Sequence, residues 1–430
     1  MKNIKDMPNV LVISNECFSN TNSNGRTLKN FFLGWNKESL AQFYIQNEEP
    51  DFDCCNNYFR VTDGQALKCL LGKKQGGIVK NIFKNYEEKK EINKKKSKKK
   101  LKRNALTMLI RNFIWNLEIW KKKGFDKWVD DFDPKIILLQ AGDLPYMYKL
   151  ALNIAKRKNA KLVIYNSEGY YFKEFDYFNS KGIAHIIYPL FLKTLRKNLK
   201  KSYNYSSKVI YICDKLKEDY DKIFNTDSIT IYTSSTLKCN QDKKKDNERF
   251  ITSYCGNLGI NRHKGLIEIA NAMQKISKKL YVDVYGKIPN DIVKKEFENC
   301  KGINYKGLIP YEEVKSVLKN SDLLLHIESF DDFYKEDLKY AFSTKIADSL
   351  SSGTCFLLYA PKNLACTEYL EKNKCAHVVN NKDNLEKSLE NIIKNSEEKN
   401  KYINNALEIS NKNHNAEKNI KLFQETIEKL

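Results

Sequence analysis

The chain has 430 residues, of which 41% are hydrophobic and 12% aromatic, so it is too long for one core and two α/β domains are expected. Its eleven cysteines form no CxxC pair, which excludes the usual spacings of zinc ligands and redox motifs, and we expect buried thiols in a reducing compartment. The formal charge of +22 has two explanations: an anionic partner, or a lysine- and asparagine-rich composition along the whole chain.

The first residues, MKNIKDMPNVLVIS, contain only a short apolar run after the lysines, which is too short for the apolar core of a signal peptide. No run of about 18 uncharged apolar residues follows, so no helix is expected to span a bilayer. The sequence therefore predicts a protein that is soluble or peripheral to a membrane.

Short runs rich in Val, Ile and Tyr alternate with stretches of helical periodicity, which predicts parallel sheets with crossover helices. Predicted strands are Val10–Ser14, Gln42–Ile45, Ile136–Gln140, Leu162–Tyr165, Val209–Cys213, Phe250–Cys255, Tyr281–Tyr285, Ile303–Tyr305, Leu323–Ile327 and Cys355–Tyr359. The lysine-rich link Lys238–Arg249 separates two series of strands. We predict an N-terminal domain over 1–238, a second domain over 239–395 and terminal helices over 396–430.

A basic insertion over about 86–104 interrupts this alternation. Lys89 to Arg103 contains ten basic residues and one acidic residue. An amphipathic helix is predicted to follow, with Trp115 and Trp120 flanking its apolar face. That face is formed by Leu106, Leu109, Ile110, Phe113, Ile114 and Leu117. One hypothesis is docking on an anionic membrane, and the alternative is a solvated loop before an ordinary core-facing helix. The segment lacks the interleaved aromatic residues of single-strand readers, so no nucleic-acid partner is expected.

A polar loop, Asn20 to Gly25, follows the first predicted strand and leads into a predicted helix. Gly25 has no side chain, so a sugar or phosphate can approach the backbone, and the free amides of a helix start favour negative charge. The same arrangement occurs in α/β proteins that bind nothing at this place. It gains weight only with a partner site in the second half.

The second half contains a glycine turn and two cations just before a helix. Gly256 and Asn257 follow a predicted strand, and Arg262 and Lys264 stand at the start of the next helix. Two fixed cations at the positive end of a helix suit a diphosphate. They would neutralise the charge that develops on a departing diphosphate.

A second helix start lies further along. Ser343 is a good N-cap, and the helix it opens directs its first amides, including those of Thr344 and Lys345, towards an anion. Asp348 lies one turn further in, where a carboxylate accepts hydrogen bonds from ribose hydroxyls.

These residues resemble the retaining, GT-B-type glycosyltransferases of the family 4-like, or group 1, class, which build capsule, exopolysaccharide and glycolipid sugars. The resemblance covers the C-terminal half, where the turn from Gly256 to Lys264-Gly265 and the stretch Gly307–Pro310 match the family pattern. The family carries two glutamates separated by seven residues. Asp348 matches the second glutamate, but Tyr340 occupies the position of the first. Asn257 stands where an arginine is common, and Arg262 is our candidate replacement.

The resemblance implies two Rossmann-like domains facing a central cleft, with C-terminal helices crossing back. It implies a donor site of Gly25, Gly256, Asn257, Ser343, Thr344, Lys345 and Asp348, with Arg262 and Lys264 as catalytic cations. No cofactor beyond a nucleotide-diphosphate sugar as co-substrate, and no metal, is expected; Asp331-Asp332 lacks a third ligand at sensible spacing. Asp143 and Glu168, near predicted strand ends, are candidate acceptor contacts, although a solvated loop carboxylate is an equal interpretation of Glu168.

The predicted function is transfer of a sugar, expected to be a hexosyl group, from a nucleotide-diphosphate sugar to a saccharide or lipid-linked saccharide during polysaccharide biosynthesis. The enzyme is expected in the cytoplasm, peripheral to the inner face of the membrane. The alternative is a non-catalytic protein that binds a nucleotide sugar or glycan on the same fold, in which the missing glutamate at Tyr340 reflects lost turnover.

Overall fold

The computed structural model describes residues 7–20, 22–73, 76–81, 103–237 and 249–430. The chain forms two compact units. The first is Met1–Tyr211, Lys217–Thr230 and Ile420–Leu430, and the second is Ile212–Leu216 and Ile231–Asn419. The predicted boundary at residues 238 and 239, and most of the predicted basic insertion, lie outside the described residues.

The first unit contains an eight-stranded sheet in the described part of the chain, with the order β4-β3-β2-β1-β5-β6-β7-β8. Neighbouring strands are parallel except β3 and β4. The central strands are buried along their whole length, because helices cover both faces of the sheet. The strands are β1 Val10–Ser14, β2 Leu40–Tyr44, β3 Asn57–Arg60, β4 Gly77–Val79, β5 Ile136–Gln140, β6 Lys161–Asn166, β7 Lys208–Tyr211 and β8 Ser228–Thr230.

The helices of this part of the chain begin at recognisable caps. The side chain of Asn22 accepts a hydrogen bond from the amide of Gly25, and capping boxes at Thr62 and Asn104 open the next two long helices. Another long helix begins with Pro145 in its first turn. The helices are α1 Ser23–Phe31, α2 Asp63–Leu70, α3 Ala105–Asn116, α4 Phe125–Phe132, α5 Pro145–Lys158, α6 Ile183–Ile186, α7 Tyr188–Tyr205 and α8 Asp214–Asp221.

Helix α3 confirms the predicted amphipathic helix but corrects its orientation. Trp115 and Trp120 are almost completely buried, and Trp120 stacks on Phe43 of β2 at a ring separation of 5.4 Å. The tryptophans therefore anchor α3 to the core and do not flank an exposed apolar face. Four of the predicted apolar residues are exposed instead: Leu106, Ile110, Phe113 and Leu117.

The second unit contains a six-stranded parallel sheet in the order β11-β10-β9-β12-β13-β14. The strands are β9 Thr252–Cys255, β10 Val282–Tyr285, β11 Ile303–Gly307, β12 Leu323–Ile327, β13 Cys355–Tyr359 and β14 His377–Val379. This is the strand order of dinucleotide-binding Rossmann folds, with the order reversing between β9 and β12. Both units are thus Rossmann-like, as expected.

The remaining helices include the predicted C-terminal series. They are α9 Arg262–Ile276, α10 Asp291–Glu298, α11 Tyr311–Asn320, α12 Lys335–Leu338, α13 Thr344–Ser351, α14 Ala365–Asn373, α15 Leu385–Lys394, α16 Ser396–Asn413 and α17 Ala416–Glu428. The last residues of α17 belong to the first unit, where Phe423 stacks on Phe31 at 4.6 Å between ring centroids. Helices α16 and α17 occupy the range 396–430 in which terminal helices were predicted.

All ten predicted strands are present, and Val10–Ser14, Ile136–Gln140, Leu323–Ile327 and Cys355–Tyr359 have the predicted bounds. Four short strands, β3, β4, β8 and β14, were not predicted. Three of them lie at sheet edges, where three residues suffice for pairing and no long apolar run is needed. In the described residues no helix is long and apolar enough to cross a membrane.

Candidate functional site

The carboxyl ends of β9 and β12 mark the place in the second unit where ligands of open α/β sheets bind. The two strands are neighbours, and the chain leaves them in opposite directions across the sheet. Such a reversal opens a crevice at the carboxyl edge. The predicted donor residues of this half lie in the loop after β9 and at the start of α13.

The loop after β9 is held in one shape by its own polar groups. The hydroxyl of Tyr254 donates to the carbonyl of Asn257 at 2.8 Å, and the Asn257 side chain accepts from the amide of Gly259 at 2.8 Å. A Cβ on Gly256 would lie 2.6 Å from the Tyr254 hydroxyl, so any other residue there would displace the buried Tyr254 side chain. The loop is therefore preformed, and Asn257 shapes it and does not replace the family's arginine as a cation.

Arg262 lies at the start of α9 and reaches back to the end of β12. Its Nη2 donates to Glu328 at 2.6 Å, and its Nε donates to Glu328 at 2.9 Å and to the carbonyl of Ile327 at 3.1 Å. Its Nη1 makes no hydrogen bond to the described residues. The guanidinium is thus fixed in place with one end available to an anion.

Glu328 is a site residue that the sequence reasoning missed. It is 1% exposed and also contacts His326, whose Nε2 lies 3.0 Å from Glu328 Oε1. Burial raises the pKa of Glu328, but the hydrogen bond with His326 and the charges of His326 and Arg262 outweigh burial, so the pKa is lowered. The available signal was an acidic residue directly after the apolar strand LLLHI, at the reversal point of the sheet.

The N-terminus of α13 brings a second cation to the same edge. Ser343 caps the helix through the amide of Lys345, and Thr344 begins its first turn. Desolvation of the Lys345 ammonium and the nearby charge of Arg262 lower the pKa of Lys345, while Glu328 and Asp348 act in the opposite direction. Arg262 and Lys345 therefore lie close enough for their positive charges to interact, and an anion bound between them would relieve this repulsion.

Asp348 lies one turn further along α13 and is 8% exposed. Its carboxylate accepts hydrogen bonds from Ser235 at 2.7 Å and from Tyr311 at 3.2 Å. Burial raises its pKa, against the lowering effect of these hydrogen bonds and of Lys345. A buried carboxylate with spare oxygen lone pairs can accept hydrogen bonds from the two hydroxyls of a ribose. Ser235 and Tyr311 were not predicted.

Two positions depart from the expected arrangement. Lys264 lies two residues after Arg262 on α9, about 200° around the helix, and is exposed without an ion pair among the described residues. The two predicted catalytic cations therefore do not share a helix face. Tyr340, at the position of the family's first glutamate, is only 4% exposed, so its side chain packs inside the unit.

The first unit has its own reversal point, between β1 and β5. The loop after β1 leads to Gly25, where a Cβ would collide with the carbonyl oxygen of Cys17. Gly25 is therefore needed for packing of α1 against its own loop, a reason that the sequence reasoning did not foresee. In the same loop, burial raises the pKa of Glu16, partly opposed by a hydrogen bond from Asn24.

Asp143 and Glu168 follow the neighbouring strands β5 and β6 of the first unit. Asp143 is buried, is paired with Arg103 and accepts a hydrogen bond from Tyr177 at 3.3 Å. Glu168 is exposed. Burial, followed by the charges of Asp143 and Glu168, raises the pKa of Tyr170, so both predicted carboxylates lie near one tyrosine. The structure thus brings the two candidate acceptor residues to one edge.

Asp331 and Asp332 lie in a loop that Asp331 stabilises through hydrogen bonds. Asp331 accepts hydrogen bonds from the amide of Phe333 at 3.0 Å and from Asn261 at 2.9 Å, while the Asp332 side chain is 96% exposed. Within the described ranges, no group of three or more His, Cys, Asp or Glu residues is placed to hold a metal ion.

Comparison with known proteins gives a family match over the C-terminal part of the chain. Residues 262–425 match the family described as glycosyl transferase-like. The matched segment begins at Arg262 and includes α13. No match was found among curated protein sequences.

Several solved structures share the fold along the whole chain. Sucrose-phosphate synthase from Thermosynechococcus elongatus has a TM-score of 0.62 at 10% identity, covering 97% of this chain and 98% of that one. HepE from Anabaena, solved in complex with UDP, has a TM-score of 0.63 at 9% identity, covering 98% and 100%. A glycosyltransferase from Rickettsia africae has a TM-score of 0.55 at 14% identity, covering 98% of each chain. These structures show that the chain shares the two-domain GT-B fold, and the family match is confined to residues 262–425.

Proposed function

We propose that this protein transfers a sugar from a nucleotide-diphosphate sugar to a saccharide or lipid-linked saccharide during synthesis of a surface polysaccharide or glycoconjugate. The observation that carries the proposal is the cluster of Arg262, Lys345, Glu328 and Asp348 at the carboxyl edge of the second sheet, in the part of the chain that matches the glycosyl transferase-like family.

The proposed roles follow from the charges and their fixation. Glu328 holds Arg262 so that its free Nη1, with Lys345 and the first amides of α13, faces the diphosphate. Cations fixed before the reaction stabilise the leaving diphosphate without reorganisation. Asp348 binds the ribose, and Lys264 supplies a longer-range positive charge from the α9 surface. The structure of HepE with UDP-glucose, which has the same fold, supports a nucleotide sugar as the donor class.

In this proposal no metal ion is needed, since the fixed cations take its place beside the diphosphate. Retention of the sugar's configuration is proposed from the resemblance to retaining enzymes. Asp143 and Glu168, beside Tyr170, are proposed to contact the acceptor in the first unit. We place the enzyme in the cytoplasm, peripheral to the inner face of the membrane.

The first experiment is a thermal-shift screen against UDP, GDP, ADP, CMP and their common sugars. A ligand that binds only the folded protein stabilises it by about 2.7 kcal/mol at a hundredfold excess over Kd. We expect one nucleotide family to raise the midpoint, and that donor then enters transfer assays with and without EDTA, with the anomeric configuration of the product assigned by NMR. No shift with any nucleotide would contradict the proposal.

One observation favours a second function, the non-catalytic binding of a nucleotide sugar or glycan. Tyr340 replaces the first glutamate of the family pattern and is buried, so it gives the donor sugar no carboxylate. A clear thermal shift with a nucleotide sugar, but no release of nucleoside diphosphate with any acceptor preparation, would support this second function.

A further inference from the structure

Seven large apolar side chains are exposed on three helices of the first unit that pack against one another. Helix α3 contacts α6 and α7, and α6 contacts α7. We call these exposed side chains and the lysines described below the α3–α6–α7 face. Its apolar members are Leu106, Ile110, Phe113, Leu117, Ile183, Ile186 and Leu190.

The exposed residues on α3 repeat at the helical period. Leu106, Ile110, Phe113 and Leu117 are separated by four, three and four residues, so they form one stripe. The opposite side of the helix carries Met108 and Trp115, which are buried. Helix α3 is therefore apolar on both sides. A helix that packs only against the core needs apolar residues on one side alone, so the exposed stripe indicates a second contact. Ile183 and Ile186 on the adjacent α6 are 71% and 75% exposed.

The two stretches of chain that carry these side chains contain basic residues and no acidic ones. Residues 103–117 contain two arginines, residues 177–205 contain six lysines and arginines, and neither stretch contains an Asp or Glu. On α7, Leu190 is followed at helical spacing by Lys193, Lys197 and Lys201, all exposed. An apolar surface thus continues directly into a row of lysines.

Acidic residues on neighbouring elements neutralise some of the cations. Asp63 pairs with Arg111 at 2.8 Å, and Asp176 lies 3.4 Å from His185. The cations of the face that remain without an ion pair within the described residues are Lys181 and the three lysines of α7.

We propose that the α3–α6–α7 face docks on the surface of an anionic lipid bilayer, with the apolar side chains at the acyl boundary and the lysines at the headgroups. Apolar area and lysine charge are the two terms that hold interfacial helices on such membranes. A second copy of the chain is disfavoured as the occupant, because two-fold pairing of this face would bring the lysines of both copies together. This face is the membrane-contacting surface for the peripheral localisation proposed above, and its docking does not depend on the transfer reaction.

The test is flotation of the full chain with vesicles of phosphatidylcholine alone or mixed with phosphatidylglycerol, without donor or acceptor. We expect binding to the mixed vesicles and little binding to the uncharged ones. The double variant Ile183→Ser/Ile186→Ser, and separately Ile110→Ser/Phe113→Ser, should lower the partition coefficient about tenfold. Lys193→Gln/Lys197→Gln should lower it by about fivefold for each lysine.

The matched control is Ile223→Ser/Ile292→Ser, which removes two exposed isoleucines outside the face and should leave binding unchanged. All replaced side chains are exposed, so thermal midpoints should stay close to that of the parent. Absence of binding to anionic vesicles, or equal binding by all the variants, overturns the proposal. A dimer that Ile183→Ser/Ile186→Ser dissociates in solution also overturns it and assigns the face to a second copy. The nucleotide-induced thermal shift of the variants is read separately, so failure of docking and failure of the proposed transfer remain distinguishable.

Discussion

At the carboxyl edge of the second sheet, four charged side chains from three elements lie together, whereas the same edge of the first sheet carries one buried carboxylate, paired with an exposed arginine and surrounded by tyrosines. The first group is Arg262, Glu328, Lys345 and Asp348. The second is Asp143 with Arg103, beside Tyr170 and Tyr177. Alternating fixed charges suit a diphosphate and a ribose, while carboxylates with aromatic rings suit an uncharged sugar. The two sheets share a topology class, and the difference in ligand class lies in the side chains at their edges.

The largest expected effect is on the leaving group. Arg262→Ala removes a preorganised cation and should lower kcat by about 10²–10³, measured as release of nucleoside diphosphate. Arg103→Ala removes the guanidinium partner of a buried carboxylate in the first unit, and nucleotide binding should be unchanged. Equal losses of nucleotide affinity in both variants would erase the distinction between the two edges.

Loss of Arg262 leaves buried Glu328 with His326 alone, and breaking a buried ion pair costs about 3–5 kcal/mol of stability. The double variant Arg262→Ala/Glu328→Gln removes the uncompensated charge and should recover thermal stability but not turnover. Lys264→Ala, two residues further on the exposed side of α9, should cost less than Arg262→Ala.

The second prediction compares two buried aspartates. Asp348→Asn should weaken nucleotide binding by about 10-fold to 100-fold, since a hydrogen bond to a charged group contributes about 1.5–3 kcal/mol. Asp143→Asn should leave nucleotide affinity unchanged and raise the KM for the acceptor. Calorimetric titration of the same nucleotide into both variants checks this, and a weaker affinity in Asp143→Asn alone would reverse our assignment of the two edges.

A smaller effect is expected at the helix caps. Ser343→Ala and Asn22→Ala remove the caps of α13 and α1, and each should lower the free energy of unfolding by about 1 kcal/mol in urea titrations. Only Ser343→Ala should also weaken nucleotide binding, because α13 alone directs its amides at the proposed diphosphate. Equal effects on nucleotide affinity would count against that role.

The smallest effect concerns pH. The folded-state pKa of Asp348 is raised, so its contribution to stability is lost as pH rises from the ordinary carboxyl range through that pKa. The folded-state pKa of Glu328 is lowered, so its contribution is present above the ordinary range and is lost as pH falls through that pKa. Relative to the parent, Asp348→Asn should therefore gain stability with rising pH, and Glu328→Gln should gain with falling pH. The free energy of unfolding is measured in urea at several pH values. The same pH dependence in both variants would contradict the opposite pKa shifts of Asp348 and Glu328.

The fold could be predicted from the sequence because its central strands are long apolar runs between helical stretches. Val10–Ser14 and Leu323–Ile327 are covered on both faces, so burial alone sets their composition. The short strands His377–Val379 and Ser228–Thr230 escaped prediction because three residues paired on one side carry no periodic signal.

The site was predictable where it depends on local sequence. Ser343 and Asp348 stand at fixed positions of one helix start, and the structure places them there. Glu328, Ser235 and Tyr311 could not be found in this way, because they meet Arg262 or Asp348 only through tertiary contacts across 66, 113 and 37 positions of sequence. The burial of Trp115 was hidden for the same reason, since its ring packs against Phe43 and Tyr146 from other elements.

The measurement that tests the central claim most directly is calorimetric titration of UDP, GDP and ADP into the parent protein, Arg262→Ala/Glu328→Gln and Asp143→Asn. We predict that one of these nucleotides binds the parent and Asp143→Asn with equal affinity and the double variant at least about tenfold more weakly, the loss expected for a charge-assisted hydrogen bond. Equal affinity for the parent and the double variant would contradict a diphosphate site at Arg262.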